Sequence, residues 1–317
     1  MKMELRRSLA LAGCIFLSSC GGGTQDETIQ TQDSAYQQSM DAGSQAFALE
    51  RYSVAERSYR EAARLALRRD DAGAIGDASY NLAVTQLAAG NPTDALATVQ
   101  NARTALMMRQ GREASAVEGG LPKTTQGDAG LSISHGSLNL VAAAADYRLN
   151  RLSAAAEDAR LAAASPESDI ALRGAFIRGL IAAKQGDGAT LSAAISQLQS
   201  AKPPHSAVQQ ADLAELQARQ VLFTQPQQAI EFASSAVGLR RNTGDYQAMA
   251  RALALEGQAA RATGQEARAK SLFAQASQSL GANGGSDVKP GTEARDLMNE
   301  SGGLAPIQPF ISQEPTQ

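Results

Sequence analysis

The chain has 317 residues with 29 basic and 32 acidic side chains, a net charge of −3, 4% aromatic residues and no tryptophan. That balance leaves no electrostatic footprint for nucleic acid, and two cysteines, Cys14 and Cys20, give little scope for disulfide or thiolate chemistry. Length alone suggests one or two domains, whereas alanine-rich composition and internal repetition favour one elongated array.

In chain order the first element is a basic amino terminus, Lys2, Arg6 and Arg7, followed by the apolar run Leu9 to Leu17 and then Ser18-Ser19-Cys20. This is the layout of a secretory signal, and the run is too short for a bilayer core, which takes about 20 residues. Leu17-Ser18-Ser19-Cys20 resembles the lipobox of bacterial lipoproteins. The resemblance implies cleavage before Cys20, residues 1–19 as signal peptide, and a diacylglyceryl thioether and N-acyl chain on Cys20. Three acyl chains on one residue hold a membrane firmly where one binds marginally. Gly21 follows the cysteine where aspartate would signal inner-membrane retention, so the resemblance points to the periplasmic face of the outer membrane. The mature chain would lose three of the 29 basic and one of the 32 acidic residues, leaving a net charge of −5. No cofactor is expected beyond that covalent lipid.

Residues 20–35 are polar and glycine-rich and read as a flexible linker. Beyond them the chain repeats. Small residues recur at Ala55, Ala95, Ala155, Leu191, Ala229 and Ala269, at intervals of 40, 60, 36, 38 and 40. Around them one frame returns: Gly43, Ala55, Tyr59 and Ala62; Ala83, Gly90, Ala95, Val99 and Ala102; Gly257, Gly264, Ala269, Phe273 and Ala276. Small positions three and four residues from apolar partners share a helix face and let two helices approach closely.

These residues resemble the tetratricopeptide repeat. The resemblance spans roughly residues 36–280 and implies an all-α fold: a right-handed α-solenoid of about six helical hairpins. The helices are expected at 36–48 and 52–69, 74–89 and 92–109, 134–149 and 152–164, 168–185 and 188–200, 206–222 and 226–240, and 245–262 and 265–279. Asn91-Pro92, Ser165-Pro166 and Gln225-Pro226 sit at helix starts or connections, where proline is tolerated. Asn150 stands at a hairpin turn where glycine is usual. The doubled motif Leu67-Arg68-Arg69-Asp70-Asp71 and Leu239-Arg240-Arg241 to Asp245 places cations in last turns, where they offset the helix dipole. The long interval contains residues 111–132, with five glycines and Pro122, expected to be an insertion loop. Residues 281–317 are rich in glycine and proline and read as a disordered tail, with Leu304 to Ile311 as its one apolar stretch.

Catalytic constellations are sparse. His135 and His205 have no metal-ligand partners at workable spacing, and no nucleophile elbow, phosphate loop or His-Glu-x-x-His is present. The chain is therefore expected not to be an enzyme. Arrays of this family bind partners along the groove lined by the first helix of each hairpin, and the matching positions here include Tyr80, Tyr147, Arg173, Phe176, Arg251 and Arg261. Aromatic and arginine side chains suit a peptide-binding surface. The lysine and asparagine clamp used by co-chaperone members of the family is largely missing, because Met40, Ser44, Asn81, Ser137 and Val141 stand there and only Asn81 agrees. The expected function is a lipid-anchored scaffold for envelope proteins, with a periplasmic chaperone or protease adaptor as the alternative and an enzyme as a distant third.

Overall fold

The computed structural model of the chain describes residues 34–118 and 125–283. The expected signal segment, Cys20, most of the linker, and all but the first residues of the expected tail lie outside them. The described residues form twelve helices and no strand: α1 (Ser34–Ala48), α2 (Tyr52–Arg69), α3 (Ala72–Ala88), α4 (Pro92–Glu118), α5 (Thr125–Arg148), α6 (Leu152–Ala163), α7 (Ser168–Gln185), α8 (Gly188–Gln199), α9 (Ala207–Val221), α10 (Pro226–Thr243), α11 (Tyr246–Ala262) and α12 (Glu266–Asn283). The expected helix ends hold to within four residues except between α4 and α5. There both helices run eight residues into the segment read as a loop, so residues 111–118 and 125–132 are helical. Glycine costs only about 1 kcal/mol in a helix interior, and Arg112 to Glu118 otherwise consists of adequate helix formers.

Local chemistry sets the hairpins. Between the helices of five of the six pairs, all but α9–α10, one residue takes a left-handed conformation: Glu50 (φ 56°), Gly90 (79°), Asn150 (57°), Gly186 (73°) and Gly264 (78°). The next residue donates its N–H to a carbonyl five residues back, at 2.8–2.9 Å, in all five: Arg51 to Ala46, Asn91 to Gln86, Arg151 to Asp146, Asp187 to Ala182, and Gln265 to Ala260. This is the bond that closes a helix ending on a left-handed residue. Asn150 replaces glycine because asparagine tolerates that conformation. At helix starts, the Asp71, Asp187 and Asp245 side chains accept the N–H groups of Ala74, Thr190 and Ala248. Ser206 and Gln209 form a capping box on α9.

Two layers result. The odd helices α3, α5, α7, α9 and α11 each touch the next odd helix, while even helices pack on the odd helices before and after them. The even helices are one-sided: α2 buries Ala55, Tyr59, Ala62 and Ala66, one stripe at helical spacing. The inner α3 and α11 are buried almost all round, over Ile75 to Ala88 except Asp77, and over Ala248 to Gly257. The recurring Ala55, Ala95, Ala155, Leu191, Ala229 and Ala269 are all buried, between 0% and 5% exposed. Among the described residues no helix is long and apolar enough to cross a membrane.

Candidate functional site

The inner face of the odd helices is where the partner groove was expected, and the chain's own side chains fill it. Tyr80 and Tyr147 are 2% exposed, Phe176 0% and Arg251 2%. Arg173 is largely covered as well, its side chain 15% exposed. These five therefore do not line an open groove. The sixth, Arg261, is exposed, stacked 4.8 Å over the Phe273 ring and apart from the others. The physical reason is the small-residue packing of the inner layer: alanine and glycine contacts draw the odd helices together until long side chains reach across. Arg148 of α5 donates to Gln247 of α11 at 3.3 Å, and Arg251 of α11 lies 5.6 Å over the Phe176 ring of α7.

Phe176 is the hub. Arg173 and Arg240 also lie against its ring, at 5.3 and 5.9 Å, within the range for cation–π attraction. Their charges are met from α9. Arg173 Nη1 donates to Asp212 Oδ2 at 2.6 Å, Arg240 donates to the other oxygen of Asp212, and Arg240 Nη1 donates to Asp245 at 3.2 Å. Glu215 receives Arg251 through both oxygens, at 2.7 and 2.8 Å, and Arg219 at 3.2 Å. Burial pushes the Glu215 carboxyl up, but Arg251, Arg219 and Arg240 outweigh it and hold the pKa down at about 2. Burial likewise opposes the charge of Arg251, and Glu215 more than offsets it, so its pKa is raised.

Asp212, Glu215 and Arg219 were not singled out from sequence, and Arg240, read there as a last-turn cation offsetting the helix dipole, is instead fully buried between Asp212 and Asp245. Asp212, Glu215 and Arg219 stand at intervals of three and four on α9, one helix face, interleaved with Ala211, Ala214 and Ala218. A charged stripe embedded among alanines was the available signal.

An accessible concavity lies among α2, α3 and α4. A cleft of about 530 Å³ opens between α2 and α4 with α3 as its floor, lined by Arg60, Arg64, Leu67, Ile75, Leu82 and Asp94 among others. One end is bridged through Gln86, which donates to Glu56 at 3.2 Å and accepts from Thr98 at 2.8 Å. The other end is bridged by Arg109 and Asp70 at 2.6 Å. Leu67 on its wall is 49% exposed. The volume falls in the range of ligand and peptide side-chain pockets. Among the described residues no group of three or more histidine, cysteine, aspartate and glutamate side chains is placed to hold a metal. The chain matches no protein-family model and no curated protein.

Proposed function

We propose that the chain is a lipid-anchored, non-enzymatic scaffold of tetratricopeptide type, about six hairpins in a right-handed solenoid. On this reading it holds envelope proteins together at the periplasmic face of a bacterial outer membrane. The observation that carries the repeat reading is the hairpin turn, whose left-handed residue and five-back hydrogen bond recur from Glu50 to Gly264. Stacked repeats offer concave surfaces to their partners, and here the inner charges are already engaged with one another. The partner surface is therefore assigned to the cleft between α2 and α4 and its rim, with Leu67 as the apolar anchor and Arg60, Arg64 and Asp94 as polar flank. The anchor rests on Leu17-Ser18-Ser19-Cys20 alone.

The test is capture after crosslinking in the cell of origin. Wild-type chain should retain one defined partner through stringent washing, and Leu67→Glu should lose it while keeping its helicity and melting temperature. A Leu67→Glu chain that captures the same partner as well as wild type contradicts the cleft.

A further inference from the structure

The buried apolar residues fall into separate cores. One extends from Ala66 through Leu198 and takes in Leu216 of α9; another runs from Ala214 through Ala276. Helix α9 is their boundary, with Leu213 and Leu216 toward the first and Ala214, Ala218 and Leu222 toward the second. Its packing is lopsided, broad on α10 and narrow on α7 and α8. The only covalent link across the boundary is the segment 200–206, outside any helix and solvent-exposed over Lys202 to Ser206.

What crosses the boundary is mostly polar. Arg173 meets Asp212, Gln209 meets Asp169 at 3.5 Å, Gln220 meets Ser192 at 2.9 Å, and Arg148 meets Gln247. The apolar contacts from α9 are Leu213, packed against the first core, and Leu216, which fits over Gly179 so closely that a Cβ there would lie 2.5 Å from its Cδ1. The charges divide unevenly in a way that favours separation. Asp212 keeps Arg240, and Glu215 keeps both Arg251 and Arg219, because all of these belong to α9–α12. Removing one partner from a buried ion pair is costly because it strands a buried charge. Parting the two halves here strands no carboxylate, and Arg173 goes to water rather than to an apolar surrounding.

We infer that α9–α12 moves as a unit on α1–α8 about the segment 200–206, and that this motion uncovers the inner face around Phe176. The closed arrangement is the one with Arg240 and Arg251 over the Phe176 ring. The open one presents that ring to solvent together with Arg173, while each half keeps its own core. The inference is independent of the cleft between α2 and α4.

The experiment is thiol labelling of the full-length chain with Cys14 and Cys20 replaced by serine, carrying one reporter cysteine in place of a buried ring. Phe176→Cys reports the boundary, and Tyr59→Cys, at a ring 1% exposed inside the first half, reports opening of α1–α2 or of the whole chain. Labelling at position 176 should be at least tenfold faster than at position 59. Leu216→Ala should speed the former several-fold and leave the latter unchanged. Equal rates at the two positions, in variants with wild-type helicity, would overturn the inference. Spin labels on the exposed positions Arg57 and Ser271 give an independent readout. Two distance populations, with Leu216→Ala enlarging the longer one, are expected; a single narrow population in both chains overturns it.

Discussion

Gly43 lies against the ring of Tyr59, and a Cβ at position 43 would stand 2.7 Å from the ring's Cδ1 and Cε1. Sixteen residues separate the two, and the same spacing brings Gly257 against Phe273, where the Cβ would stand 3.0 Å from Cε1. One packing rule thus operates in the first and last helix pairs: glycine on the inner helix admits an aromatic ring from the outer one. Alanine is the better helix former by about 0.8–1.0 kcal/mol, so each glycine's effect depends on what its Cβ would meet.

A graded series follows from that competition. Gly174→Ala should be the most damaging, because the Cβ would stand 2.4 Å from the backbone N of Ala163, which cannot yield. Gly43→Ala should cost roughly 1–3 kcal/mol, in the range of core overpacking. Gly257→Ala should be near neutral, since the half-buried Phe273 can give a few tenths of an ångström. Gly238→Ala, whose Cβ would meet nothing within 4 Å, should gain up to about 1 kcal/mol. Denaturant midpoints check the order, and a stabilising Gly174→Ala would refute the packing.

Ala269 is fully buried, and Gln265 one turn earlier is not. Ala269→Leu should therefore lower stability by roughly 1–3 kcal/mol and Gln265→Leu should change little. Equal midpoints for the two variants would mean a different register for α12.

The Glu215–Arg251 pair makes the fold acid-sensitive. The Glu215 pKa is held at about 2 in the folded chain against an ordinary value of 4.5, so folding favours its ionised form. That contribution is complete above about pH 5 and fades as pH falls toward 2. Glu215→Gln should cost about 3–5 kcal/mol at neutral pH, as for other buried pairs broken on one side, and should flatten this part of the acid-unfolding profile. An unchanged profile would remove Glu215 from the account.

Many helix ends were legible because they are marked by residues with one conformational use, whereas Glu50 and Asp70, left-handed at the ends of α1 and α2, carry no such mark. Pro92 and Pro226 start helices, Gly90, Gly186 and Gly264 end them, and small residues between them fix which face packs. The extension of α4 and α5 was not legible: the glycines at 111, 119, 120, 127 and 130 read as a loop, and for Gly111, Gly127 and Gly130, which lie in the helices, the individual helix cost is small enough to be overridden. Nor was the filling of the inner groove. Arg251 and Arg261 stand ten residues apart on one helix, yet one is buried on Glu215 and the other is exposed over Phe273. Ten residues of helix leave their faces about 80° apart, but which face meets the Glu215 carboxylate depends on the placement of α9, which periodicity within α11 does not give.

That burial changes what mutation of the expected groove should do. Tyr147→Ala, Arg173→Ala and Arg251→Ala combined should lower the melting temperature along with any loss of partner capture, because Tyr147 and Arg251 are interior groups and Arg173 holds Asp212. Preserved melting with lost capture would restore these residues to a surface role.

The anchor has its own test. If Cys20 is acylated, mass spectrometry of the mature amino terminus should show a modified Cys20 as residue one, and Cys20→Ala should abolish both the lipid and that cleavage. An unmodified cysteine, or cleavage at another bond, would remove the lipid anchor from the proposal.

The measurement that bears most directly on the scaffold reading is site-specific photocrosslinking in the cell. A photoreactive residue at position 67, on the cleft wall, should give one defined adduct with a second protein. The same residue at exposed Phe223, remote in sequence from the cleft, should give none. Adducts at position 223 and none at position 67 would contradict the assignment, and no adduct from either position would contradict a standing partner on these surfaces.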